Sequence, residues 1–220
     1  MKRTGFGVLS CALLLTIGCT AERRSDIDDG RTAELRPADG PAPVGTSGEL
    51  EQAHGSSADA RHFAQQAGMA GLTEVTLGKL AQERAQTPEV KTFADMMVRD
   101  HSKSGAELKQ IVSRYNVDMP TTLDAEHQKL FDRLSALKGA AFEREYMKAM
   151  VDGHKKVKSL VASRVETGAA HRDAHGATGT SGTAAADTKL DAGVNQWAAS
   201  SLPRVGHHLE QAEAISAKLK

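Results

Sequence analysis

Phe63, Ala67, Ala70, Leu77 and Ala81 fall at intervals of three, four and seven residues, the period of one face of an α-helix, and predict a helix over about 58–86. Thr87 and Pro88 then read as the N-cap and first-turn proline of a second helix. That helix runs to about Tyr115, with Phe93, Ala94, Met97, Val98, Leu108 and Val112 on its stripe. After "NVDMP", Leu123, Leu130, Phe131, Leu134 and Leu137 mark a short amphipathic helix that Gly139 separates from the next. Phe142, Tyr146, Met150, Val157, Leu160 and Val161 predict a helix over about 140–167. Leu190, Val194, Trp197, Val205, Leu209, Ala212 and Ile215 predict a last one over about 189–219, which Pro203 starts or kinks. No alternating pattern of strand type competes, so the stripes must be buried against one another, in an all-α helical bundle.

Each long stripe is interrupted by a polar residue. Glu74 lies between Ala70 and Leu77, His101 between Met97 and Leu108, His154 between Met150 and Val157, and His208 between Val205 and Ala212. The turn at Thr87 sets two of these heights: Glu74 precedes it by about as many residues as His101 follows it, so in a helical hairpin the two stand level. At a rise of ~1.5 Å per residue, that level is ~20 Å from the turn.

The ends of the pattern are different in kind. "MKRTGFGVLSCALLLTIGCT" opens on Lys2 and Arg3, continues apolar to Ile17 and reaches small residues before Cys19, as a secretory signal over 1–18 does. "TIGC" resembles a bacterial lipobox, which implies that Cys19 is acylated and becomes the mature N-terminus; Thr16 departs from the aliphatic residue usual there. Thr20, where an aspartate would signal inner-membrane retention, points to the periplasmic face of the outer membrane. Residues 19–57 are polar, with scattered Pro and Gly, and read as a disordered tether to the membrane. The domain then occupies 58–220, with a Gly/Ala/Thr/Ser-rich insert at about 169–188.

These ends change the chemistry. Cys11 leaves with the signal and Cys19 carries lipid, so no disulfide forms and no thiol nucleophile remains. The chain has 28 basic and 28 acidic residues; without Lys2 and Arg3 it is slightly acidic, and no basic patch suggests nucleic acid. No serine nucleophile arrangement is visible either.

A carboxylate and three imidazoles at one level of a bundle core are suitable donors for one borderline transition-metal ion, zinc, iron or copper, with Glu74, His101, His154 and His208 as ligands. Met97 and Met150, each four residues before a histidine, are candidate softer donors, although methionines at that spacing are ordinarily core packing. Asp100 is a candidate to orient an imidazole. The competing reading is a metal-free core in which Glu and His satisfy one another. The protein would then be a structural or interaction module of the cell envelope, acting through an envelope protein partner.

The stretches "GLTEVTLGKLA", "VKTFADMMVRDH", "FEREYMKAMVDGH" and "LPRVGHHLEQA" resemble a bacterial ferritin-like family, domain of unknown function 4142, whose members are often labelled outer-membrane proteins. The family's recurring positions fall on Glu74, Asp100, His101, Tyr146, His154, Leu202, Pro203 and His208. Glu143 stands where an aspartate is common, and the insert is longer than usual. The resemblance implies a ferritin-like antiparallel four-helix bundle, with an extra short helix before the third main helix and with Asp100 and Tyr146 behind the ligands. It does not imply ferritin chemistry. A di-iron site wants two Glu-x-x-His motifs, and Glu51 to His54 in the tether is the only one here.

Overall fold

The computed structural model describes residues 47–174 and 182–219, with side chains over 58–170 and 185–219. The signal over 1–18, Cys19 and the start of the tether lie outside the described residues. Five α-helices make up the fold and there is no strand among the described residues: α1 (Ser47–Arg84), α2 (Pro88–Val112), α3 (Ala125–Ser135), α4 (Gly139–Ala174) and α5 (Gly182–Lys218). No described helix is long and apolar enough to cross a membrane.

Helix ends depart from the stripes in informative ways. α1 begins at Ser47, so the last part of the stretch read as disordered tether is helical. Its Glu, Gln and Ala residues favour a helix without supplying an apolar face. α4 likewise continues to Ala174 and α5 starts at Gly182, shortening the non-helical part of the insert; its centre, 175–181, lies outside the described residues. α2 stops at Val112, one 3-10 turn (Ser113–Tyr115) follows, and Asn116 closes it in the left-handed conformation, which Asn tolerates well. Gly139 breaks α3 from α4 at φ +57, a conformation that costs glycine little. Pro203 neither starts nor ends α5. It lies inside the helix and deprives the Ala199 carbonyl of its usual partner.

The α1–α2 turn is held from a distance. Thr87 is the N-cap of α2, with Pro88 beginning the helix, but its side chain makes no capping bond. The buried Glu143 of α4 caps the turn itself instead, its Oε1 accepting the backbone N–H groups of Gln86 and Thr87, both at 2.7 Å.

α1 packs against α2, α4 and α5, and α5 packs against α2 and α4. The core between them is two apolar clusters. One gathers Leu77, Phe93, Met97, Phe142, Tyr146 and Met150. The other gathers Phe63, Leu108, Val161, Leu190, Val194 and Trp197, with Phe63 edge-on to Trp197 at 6.1 Å. Glu74, His154 and His208 are all buried yet belong to neither cluster. In sequence they fall, with His101, between the residues of one cluster and those of the other.

Candidate metal centre

His101, His154 and His208 come from α2, α4 and α5, and their rings form a triangle. Centroids are 5.6 Å apart for His101–His154, 5.3 Å for His101–His208 and 5.5 Å for His154–His208. One ring nitrogen from each lies within 4.8 Å of the other two, and among the described residues no other group of three His, Cys, Asp or Glu converges in this way. Each histidine sits on its helix's buried stripe, so the packing that closes the core brings the three rings together.

Hydrogen bonds fix two of the tautomers. His154 Nδ1 donates to the Met150 carbonyl one turn earlier, at 2.8 Å, which leaves the lone pair on Nε2. His208 Nε2 donates to Asp100 Oδ2 at 3.0 Å, which leaves it on Nδ1. The nitrogens so freed, His154 Nε2 and His208 Nδ1, are buried without a partner, and so is His101 Nε2.

The electrostatics keep the His101 and His208 rings neutral. Burial, then the neighbouring His154 and His208, pull His101 down to about 3. Burial also pulls His208 down to about 4, although its bond to Asp100 works the other way. Burial pushes the Asp100 carboxyl up, but hydrogen bonds from Arg99 and His208 more than offset this and hold it below its ordinary value. Asp100 is therefore an anion fixed behind one ring of the triad, bonded also to Arg99 Nε at 2.9 Å.

Three of the expected side chains lie outside the converging group. Glu74 reaches the layer, as the hairpin spacing against His101 predicts, but its Oε1 lies 3.5 Å from Nδ1 of His154, the nitrogen opposite the free one. It therefore stands behind His154, outside the converging group, while its Oε2 has no partner. Gly153 makes room for it: a Cβ there would lie 3.1 Å from Glu74 Oε1. Desolvation raises the Glu74 pKa, and the nearby His154 only partly opposes this. Met97 and Met150 are packed in an apolar cluster, and the role of Met150 here is played by its carbonyl.

Tyr146 is fully buried, stacked on Phe142 at 5.9 Å, and its hydroxyl has no partner. Burial and then the Glu74 charge raise its pKa well above the ordinary value. Asp100 does orient an imidazole, but that of His208 across the bundle, not that of its neighbour His101. The Met150 carbonyl has no signal in the sequence beyond its place four residues before His154.

Two cavities flank the layer. One, of ≈ 30 Å³, is bounded by His101, His208, Asp100, Ser104, Trp197 and Arg204. It has room for a water molecule or two. The other, of ≈ 300 Å³, opens between α1, α3 and α4 with Glu74 in its wall.

Three imidazoles, each with a buried ring nitrogen that has no partner, fit a borderline metal ion. At the usual metal–nitrogen distance of ~2.0–2.1 Å, tetrahedral ligands stand ~3.4 Å apart, which small rotations of these rings can reach. A fourth position would remain for water.

A family model described as a domain of unknown function (DUF4142) matches residues 45–174. The match ends with α4, so α5 and His208 lie beyond it, whereas the resemblance in the sequence extends through "LPRVGHHLEQA". No curated protein and no solved structure matches the chain.

Proposed function

The chain belongs to the family of domain of unknown function 4142, and from that premise we propose that it is an envelope lipoprotein whose helical bundle binds one transition-metal ion between His101, His154 and His208. The observation that carries this reading is the set of three buried imidazole nitrogens without partners. A core that closed on itself would use its lone pairs, because a buried polar atom left unpaired costs ~1–3 kcal/mol. Here Asp100 and the Met150 carbonyl occupy the outer nitrogens and leave the inner ones free, the arrangement that orients histidine ligands in metal sites.

The same reading makes the bundle ferritin-like, with four antiparallel long helices. Glu74 beside His154 and Thr87 beside Glu143 support opposite directions for α1 and α4. Arg164 bonded to Asp191 and Lys155 bonded to Glu213 support the same for α4 and α5. Secretion, acylation of Cys19 and residence at the periplasmic face of the outer membrane follow from the leader sequence. In that place one held ion would serve sequestration or protection from metal stress. Imidazole donors suit zinc, iron or copper.

The test is the metal content of untagged full-length protein purified from cells, beside the His101→Ala/His154→Ala double variant. Near-stoichiometric metal that the variant loses is the expected result. No metal in either protein, with no binding on titration with zinc, iron(II) or copper, overturns the reading.

A further inference from the structure

We propose that the cleft between α1, α3 and α4 is a second binding site, for a small organic cation: a primary ammonium on a short aliphatic chain, its head group against Glu74. The cleft has a volume of ≈ 300 Å³, at the lower end of the range for small-molecule pockets. Leu77, Leu130, Met150 and Val157 give it apolar walls. Glu74, only 4% exposed, lies in that wall, and its Oε2 has no hydrogen-bond partner.

The chain's own cations do not supply that partner. Arg133 is paired with Glu145 at 3.3 Å, Lys148 with Asp152 at 2.9 Å and His127 with Asp124 at 2.7 Å. Lys156 and Glu126, which also line the cleft, are exposed. A guest that reaches Glu74 must therefore bring its own positive charge.

The geometry narrows the class further. A bare divalent ion needs several donors, and the carboxylates around the cleft do not converge as the three histidines do. An ammonium needs one carboxylate, and its alkyl chain gains from the apolar walls. An anion brings no hydrogen for the unpartnered Glu74 Oε2. The site is distinct from the histidine layer, since Glu74 meets His154 at Nδ1 and not at the free Nε2.

The experiment uses full-length protein stripped of metal with a chelator, so that it does not depend on the histidine layer. It is titrated calorimetrically with butylammonium, butanol and butyrate. The expected result is saturable binding of butylammonium alone, weakened about tenfold or more by Glu74→Gln. Ala149→Phe, which fills the cleft from its half-exposed wall, abolishes it. No saturable binding, equal binding of butanol, or wild-type affinity in Glu74→Gln overturns the proposal. Should Glu74→Gln fail to fold, Ala149→Phe decides in its place, and unchanged affinity there overturns it too.

Discussion

Asp100 on α2 accepts the Nε2 hydrogen of His208 on α5 at 3.0 Å, so one carboxylate both joins two helices and decides which nitrogen of that ring is free. Asp100→Ala releases the ring to either tautomer. Metal affinity, measured by competition with a chromophoric chelator, is expected to fall ~10–100-fold while the apo protein melts within a few degrees of wild type.

Replacing one ligand by an apolar side chain separates stability from binding. In His101→Leu the orphaned Nε2 disappears, so the apo protein is expected to be as stable as wild type or more so. The metal, however, no longer stabilises it. Wild-type protein at a hundredfold excess of ion over Kd gains ~2.7 kcal/mol, roughly 5–10 °C for a domain of this size. Thermal melts with and without zinc read both effects, and a wild-type shift in His101→Leu would exclude His101 as a ligand.

His101 and His208 give the apo protein a pH dependence of definite sign. His101 and His208 are held at about 3 and about 4 in the fold, against 6.5 ordinarily. Between those limits the unfolded chain binds more protons, so stability falls as pH drops from 6.5 toward 4. Glu74 acts oppositely, because its raised pKa gives stability that is lost as pH rises through the folded value. In Glu74→Gln, which removes that opposing carboxyl, the two histidines leave a loss in acid on the order of 2–4 kcal/mol. Urea unfolding of that variant at pH 7 and pH 4.5 measures it, and equal midpoints would contradict neutral rings at His101 and His208.

Glu143→Ala leaves the N–H groups of Gln86 and Thr87 without their acceptor. The expected cost is ~2–4 kcal/mol, seen as a lower urea midpoint. Glu143→Gln, whose amide oxygen accepts both hydrogens, is expected to recover most of it.

The sequence already showed the stripes, the Thr87–Pro88 turn and hence the common level of Glu74 and His101, because helical period and rise are local properties. What it hid lies in side-chain direction and distant contact. Consecutive helix residues point ~100° apart, so Asp100 cannot orient the neighbouring His101 and reaches α5 instead. Which nitrogen of His154 Glu74 faces depends on the ring's bond to the Met150 carbonyl and on the room Gly153 leaves for Oε1. Glu143 is 56 residues from the Thr87 N–H it accepts, and no local pattern announces such a cap. α1 runs on to Ser47 without an apolar face, and apolar periodicity could not find that extension.

The split of the core into two apolar clusters has a mechanical consequence. Sliding α5 by one turn, ~5.4 Å, would carry His208 in among aliphatic neighbours and put Val205 or Ala212 where Asp100 expects a donor. Each long helix would meet the same double mismatch. The polar layer therefore indexes the helices lengthwise, as a detent stops a sliding rod, and it does so whether or not an ion is held there.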